Sequence, residues 1–163
     1  MINLKKGVVC LLSIVLLIPL VLCSCGKTRV EVDGHAMEPT LKNGDVIFAD
    51  PFNGDPKNGD IILIQKKSDY TKPLIKRVIA VEGQSLRLDY ENERIFVDDI
   101  QISEPYIKDT TFSGVNCDYS IPEVIPEGKV FVLGDNRAVS LDSRSSKIGL
   151  VDVNEIIGVI HLE

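Results

Sequence analysis

The segment Asn58-Gly59-Asp60-Ile61-Ile62-Leu63-Ile64 decides how the rest of this chain is expected to fold. Asn, Gly and Asp are turn-forming residues, so the segment begins with a turn. The four residues that follow are apolar on both faces of a strand. Because both faces of such a strand must be covered, we predict that residues 61–64 form a central strand of a sheet.

Short runs rich in β-branched residues, separated by turn residues, continue this pattern on both sides of the central segment. Asp98-Asp99 lies between two such runs and predicts a two-residue hairpin. No stretch after Lys27 sustains an apolar helical period over three turns. The predicted fold class is therefore mostly β, with short antiparallel strands in a partly open barrel or sandwich. The predicted strands are residues 29–32, 46–49, 61–64, 74–81, 85–89, 94–97, 100–102, 129–133 and 156–162.

The start of the chain has a different composition. Residues 8–23 are almost wholly apolar and follow Lys5-Lys6. A membrane-spanning helix needs about 20 apolar residues, whereas this run is shorter and contains Pro19. A secretory signal needs about 7–15 apolar residues behind a positive start, which fits slightly better. We predict one N-terminal hydrophobic helix within residues 1–25, either an uncleaved membrane anchor or a signal segment.

The end of the apolar run, Leu22-Cys23-Ser24-Cys25, resembles a bacterial lipobox, which implies that Cys25 is lipidated. A helical anchor and a lipid anchor give the same topology, because the positive start favours the cytoplasmic side. Residues 26–163 would then form an extracytoplasmic domain tethered to the cell membrane. Within it, residues 104–126 lack a clear period and are predicted to be an insertion or flap, or a linker.

The charge of the domain excludes some functions. Two of the 18 Lys and Arg residues precede position 27, whereas none of the 24 Asp and Glu residues does. The domain is therefore more acidic than the whole chain, whose net charge is −6. This balance argues against nucleic-acid binding, which requires a basic face. Cys117 is the one cysteine after position 25, and His35 and His161 are the only histidines, so we predict no disulfide, metal or cofactor.

Three separated motifs contain candidate functional residues. In the first, Gly34 permits a tight bend and Pro39 directs the chain after it, so that the bend presents Ala36. The second embeds Lys76 and Arg77 in an apolar strand. The motifs are Gly34-His35-Ala36-Met37-Glu38-Pro39-Thr40-Leu41, Ile75-Lys76-Arg77-Val78-Ile79, and Gly134-Asp135-Asn136-Arg137 followed by Ser140 and Asp142-Ser143-Arg144.

Each motif alone has an ordinary structural explanation. A Lys-Arg pair in a strand usually lies on a solvated face, and Gly-Asp-Asn-Arg is a common turn composition. Asp142 and Arg144 would then be a surface ion pair of little energy. Together, in this order and behind an N-terminal hydrophobic segment, the motifs resemble those of the type I signal peptidases. These are membrane-anchored Ser/Lys endopeptidases that remove signal peptides, and the resemblance covers residues 29–160.

The resemblance implies a role for each matching residue. Lys76 matches the general base, and Ser140 matches the hydroxyl that orients its amine. Position 36 matches the nucleophilic serine, with its backbone N–H in the oxyanion hole. Burial of Lys76 among Ile and Val would lower its pKa, as a general base requires. The supporting positions are Gly34, Met37, Pro39, Arg77, Gly134, Asp135, Asn136, Arg137, Asp142, Ser143 and Arg144, with Asp142 and Arg144 as a structural ion pair.

The nucleophile position holds Ala36, which has no hydroxyl to attack a peptide bond. We therefore expect a catalytically inactive signal peptidase-like protein, natural or engineered. It would bind extended signal-peptide-like or pilin-like segments of exported preproteins by strand addition. The alternatives are an active signal peptidase with a non-standard nucleophile or a water held by Lys76, a self-processing domain, and a purely structural exported lipoprotein.

Overall fold

The structure is a computed structural model that describes residues 26–66, 72–108, 112 and 117–162. The described residues form ten short strands and one 3₁₀ turn. The strands are β1 (Thr28–Glu31), β2 (Val46–Pro51), β3 (Ile61–Ile64), β4 (Leu74–Val81), β5 (Leu86–Asp89), β6 (Arg94–Val97), β7 (Ile100–Gln101), β8 (Lys129–Leu133), β9 (Val151–Asp152) and β10 (Ile156–Ile160), and the 3₁₀ turn is Val153–Glu155.

Seven of the strands form one antiparallel sheet in the order β1-β2-β10-β3-β4-β8-β9, and β5, β6 and β7 form a smaller sheet. The larger sheet curls into a half-barrel. β3 is fourth of seven in this order, and all four of its residues are buried. The prediction of a central strand at residues 61–64 is therefore confirmed, as is the mostly β fold class.

The alternation of side chains along β3 separates two cores. Leu63 packs on one face of the sheet with Met37, Leu41 and Ile75. Ile62 packs on the opposite face. The small sheet covers a third cluster beside β4 and β8. Since the first core contains two residues of the Ala36 bend, apolar burial anchors that bend to the sheet.

Most strand boundaries agree with the prediction. β3, β4, β6 and β8 have the predicted bounds, and the other predicted strands begin or end within one or two residues of them. Asp98 and Asp99 form the predicted two-residue hairpin, with φ of 50° and 62° between the paired residues Val97 and Ile100. β9 was missed, because two residues are too few to show a strand period.

The predicted tether lies outside the described residues. This applies to the N-terminal hydrophobic helix and to Cys25, since the description begins at Gly26. Within the described ranges, no helix is long and apolar enough to cross a membrane.

The described parts of residues 104–126 pack against the domain at several points. Val124 forms an isolated β-bridge with Ser85, and Ile125 is buried. The amide of Tyr119 donates to the carbonyl oxygen of Arg144 at 3.1 Å. These contacts attach the segment to both the small sheet and the third motif.

Candidate active site

The bend at residues 34–41 presents Ala36 because its two ends are anchored. Gly34 has φ +91°, a conformation that favours glycine, and its amide donates to Asn43 Oδ1 at 2.8 Å. After the bend, Met37 and Leu41 are buried in the core, and the Leu41 amide donates to the Met37 carbonyl at 2.9 Å. Ala36 itself is half-buried, at the surface of this anchored turn.

The third motif holds the bend from the other side. The Asn136 amide donates to Ala36 O at 3.0 Å, and Asn136 Nδ2 donates to His35 O, also at 3.0 Å. Gly134 permits this approach, because a Cβ there would lie 2.4 Å from Ala36 O and 2.2 Å from Ser140 Oγ. Two motifs that are about one hundred residues apart in the chain are thus joined directly at position 36.

Lys76 lies on β4 with 3% of its surface exposed, and its Nζ donates to Ile75 O at 3.0 Å. Burial lowers the pKa of Lys76 to about 8. The carboxylates of Asp142 and Asp135 oppose this shift, and the charge of Arg144 adds to it. A lysine in this state loses its proton near neutral pH, as a general base must.

Ser140 is 1% exposed, and its Oγ has no hydrogen-bond partner among the described residues. Its position is set by its own backbone, since the Ser140 amide donates to Asn136 O at 3.0 Å. The expected hydrogen bond that would orient the Lys76 amine is therefore not made in the described structure. A buried hydroxyl without a partner is costly, and Ser140 Oγ is such a group in this site.

Arg77 and Asp135 form a buried ion pair that connects all three motifs. Arg77 Nε and Nη2 donate to the two Asp135 carboxylate oxygens at 2.8 and 2.7 Å. Arg77 Nη1 also donates to Gly59 O at 2.9 Å. Thr40 Oγ1, from the first motif, donates to Asp135 Oδ2 in a short hydrogen bond. The Lys-Arg pair is thus not on a solvated face.

Asp142 and Arg144 form a second buried ion pair, and both side chains are fully buried. Arg144 Nε and Nη2 donate to the Asp142 oxygens at 2.8 and 2.9 Å. Asp142 Oδ2 also accepts from the Gly134 amide, and Arg144 Nη2 donates to Arg137 O. The pair therefore fixes both ends of the turn that contains Ser140.

Sequence reasoning missed Glu104 and Tyr106, which complete this charge network. Arg137 is fully buried and forms a short ion pair with Glu104. The Tyr106 ring lies over the Arg77 guanidinium, with Cζ 3.9 Å from the ring centroid. Burial, followed by the charge of Glu104, raises the pKa of the Tyr106 phenol. The missed signal was the charge count, because the motifs contain four cations, Lys76, Arg77, Arg137 and Arg144, but three acids, Glu38, Asp135 and Asp142.

A groove of about 1160 Å³ runs past these residues. The residues that line it include β1 with the start of the bend, and residues 72–76. β1 is an edge strand of the large sheet, so its outer backbone groups have no partner strand in the described sheet. Ala36 and Lys76 both line the groove, as do Asn136, Val139 and Leu141.

Comparison with known proteins agrees with this arrangement. The family described as signal peptidase, peptidase S26, matches residues 4–163, so the chain belongs to the signal peptidase family. The chain is 35% identical over 138 residues to signal peptidase I U of Bacillus subtilis, covering 80% of this chain and 72% of that protein. It is 29% identical over 166 residues to signal peptidase I of Streptococcus pneumoniae, covering 80% of this chain and 78% of that protein.

The fold also resembles the crystal structure of a signal peptidase I from Enterococcus faecalis V583. The TM-score is 0.53 at 25% identity, covering 66% of this chain and 98% of that chain. The predicted resemblance to the type I signal peptidases is thereby confirmed at the level of the family.

Proposed function

We propose that this protein binds the N-terminal segments of exported preproteins as a signal peptidase does, and that Ala36 prevents it from cleaving them. The observation that supports this proposal most directly is that the groups expected around a nucleophile are present, although the side chain of Ala36 is not reactive. The Ala36 carbonyl is held by the Asn136 amide at 3.0 Å, and the same groove contains a buried lysine whose pKa is about 8.

In the proposed site, Lys76 corresponds to the general base and the amide of position 36 to a donor for the oxyanion. A methyl group at position 36 has no proton to give and no lone pair with which to attack a carbonyl carbon. In a hydrolase that uses a hydroxyl nucleophile, such a loss costs about 10⁶ in rate. This corresponds to about 8 kcal/mol of transition-state stabilisation. Binding, by contrast, does not require the hydroxyl.

The proposed ligand is an extended segment that adds as a strand along β1 in the groove. The unpaired edge of β1 would supply backbone hydrogen bonds, and Val32, Leu63 and Ile75 would supply an apolar floor. The ligand class is the signal-peptide region of a preprotein, or a pilin-like segment, with small side chains next to Ala36.

The proposed location follows from the start of the chain. Residues 1–25 would tether the domain to the cell membrane, and residues 26–163 would lie on the extracytoplasmic side. The mass of the mature protein extracted from membranes distinguishes the two forms of tether. A mass that begins at a lipidated Cys25 indicates a lipid anchor, whereas an intact N-terminus indicates a helical anchor.

Restoring the hydroxyl tests the proposed function. Ala36→Ser should convert the full-length protein into an enzyme that cleaves a preprotein at its signal peptide, whereas the unchanged protein should remain at background. Because the base must be unprotonated, kcat/KM of this variant should rise with pH up to about 8. Adding Lys76→Met to Ala36→Ser should abolish the gain.

Two other results would contradict the proposal. Cleavage by the unchanged protein that is lost in Lys76→Met would instead support an active peptidase with a non-standard nucleophile or a bound water. Absence of peptide binding in both the unchanged protein and Ala36→Ser would favour a purely structural role for the exported domain.

A further inference from the structure

The turn that contains Ser140 exposes two apolar side chains. Ser140 is 1% exposed, whereas Val139 on one side of it is 60% exposed and Leu141 on the other is 38% exposed. Both exposed side chains line the groove. Isolated exposed apolar residues are common, but these two line the same groove and so offer it two apolar side chains.

The backbone of this turn is held in place from several directions. The amides of Val139 and Ser140 both donate to Asn136 O, at 3.2 and 3.0 Å. The fully buried guanidinium of Arg144 donates to Arg137 O at 2.8 Å and to Ser140 O at 3.4 Å. Val139 and Leu141 are therefore presented by a preorganised turn, which reduces the entropy cost of binding a ligand there.

The turn also has a defined position relative to Ala36. Its first residue, Asn136, donates to both Ala36 O and His35 O. β1, which also lines the groove, immediately precedes in the chain the bend that contains Ala36. A ligand in this groove can therefore contact β1, Ala36 and the turn of Val139 and Leu141.

We propose that a ligand strand along β1 passes Ala36 and then meets this turn, so that Val139 and Leu141 form an apolar subsite for the ligand residue that follows the one facing Ala36. The subsite would take an aliphatic side chain at that residue and would disfavour a polar or charged one, which would lose water without gaining a partner. This inference rests on the proposed function, because it assumes that an extended peptide lies in the groove.

Other exposed apolar residues provide matched controls. Val46 is 46% exposed on β2 and Leu162 is 53% exposed near the end of the chain, and neither lines the groove. Val46→Ser and Leu162→Ser therefore repeat the chemistry of Val139→Ser and Leu141→Ser at surfaces that the ligand should not touch.

The experiment measures binding of two fluorescent peptides to the purified full-length protein by anisotropy. Each peptide has an apolar segment followed by Ala at the position that faces Ala36, and the next residue is Leu in one peptide and Ser in the other. The Leu peptide should bind about threefold to tenfold more tightly, as expected for burial of one aliphatic side chain. Val139→Ser combined with Leu141→Ser should remove this preference, whereas the two control variants should keep it.

The outcomes separate this inference from the proposed function. If both peptides bind the unchanged protein equally, or if the control variants lose the preference as strongly as the turn variants, the subsite is wrong and the proposed binding function stands. If neither peptide binds, the proposed function fails, and the subsite fails with it. Thermal unfolding of each variant checks that the turn substitutions leave the fold intact.

Discussion

Lys76 and Arg77 are neighbours on β4, and both are buried, yet their surroundings differ. Arg77 donates to both oxygens of Asp135 and to a backbone carbonyl, and it stacks on Tyr106. The hydrogen bond of Lys76 goes to its neighbouring backbone oxygen, and no carboxylate lies within ion-pair distance of it in the described part of the chain.

The pKa values of the two cations shift in opposite directions, although burial lowers both. Burial alone would lower the pKa of Arg77, but the Asp135 carboxylate raises it above its ordinary value. For Lys76 burial is the largest effect, and its pKa falls to about 8. A guanidinium that keeps its charge suits a structural ion pair, whereas an ammonium that loses its proton suits a general base. In this site a carboxylate balances the buried charge of Arg77, whereas the burial of Lys76 is not fully balanced and lowers its pKa.

Removing the carboxylate partner should have the largest effect on stability. Asp135→Asn leaves the Arg77 guanidinium buried without a counter-charge, and a guanidinium cannot escape by losing its proton. We expect the free energy of unfolding to fall by about 3–5 kcal/mol, measured by urea denaturation. Asp50→Asn, which removes a more exposed partner of Lys27, is the control and should change little. Equal effects of the two substitutions would show that the Arg77 pair is energetically unimportant.

Removing the desolvated cation should have the opposite sign. At pH 7 the folded protein must either keep the charged Lys76 ammonium buried or deprotonate it, because the pKa of Lys76 is about 8 when folded and 10.5 when exposed. Lys76→Met should therefore raise the free energy of unfolding by about 3 kcal/mol at pH 7.

The pH dependence of this gain follows from the same two pKa values. Between pH 8 and 10.5 the unfolded chain binds the Lys76 proton more strongly than the folded one, so the stability of the unchanged protein rises with pH. The advantage of Lys76→Met should be complete below about pH 8 and should disappear above pH 10.5. A gain that does not change across this window would mean that Met packs better for reasons unrelated to charge.

Removing the aromatic partner of Arg77 should have the smallest effect. Tyr106→Leu keeps an apolar side chain but loses the ring over the guanidinium, so we expect a loss of about 1 kcal/mol in thermal or urea unfolding. Tyr106→Phe keeps the ring and loses the hydroxyl bond to Glu104, and it should retain most of the stability. The reverse order of the two variants would show that the hydroxyl, rather than the ring, is the important group.

Strand patterns and motif order were sufficient to predict the main features of this protein. Residues 61–64 had to be central because they are apolar on both faces, and they are. Asp98-Asp99 had to form a hairpin because it separates two β-type runs, and it does. The family followed from three motifs in the correct order, although position 36 lacks a hydroxyl.

Partner choice among the charged residues required the folded chain. Asp135 lies two residues from Arg137 in the sequence, yet it pairs with Arg77, and Arg137 pairs with Glu104 from the segment that had no predicted structure. The reason is physical. Strand period and turn composition are local properties, whereas ion pairing and burial depend on which distant segments meet. The bend around Ala36 could be predicted from the local sequence. The hydrogen bond from Asn136 to this bend and the burial that lowers the pKa of Lys76 exist only in the tertiary structure.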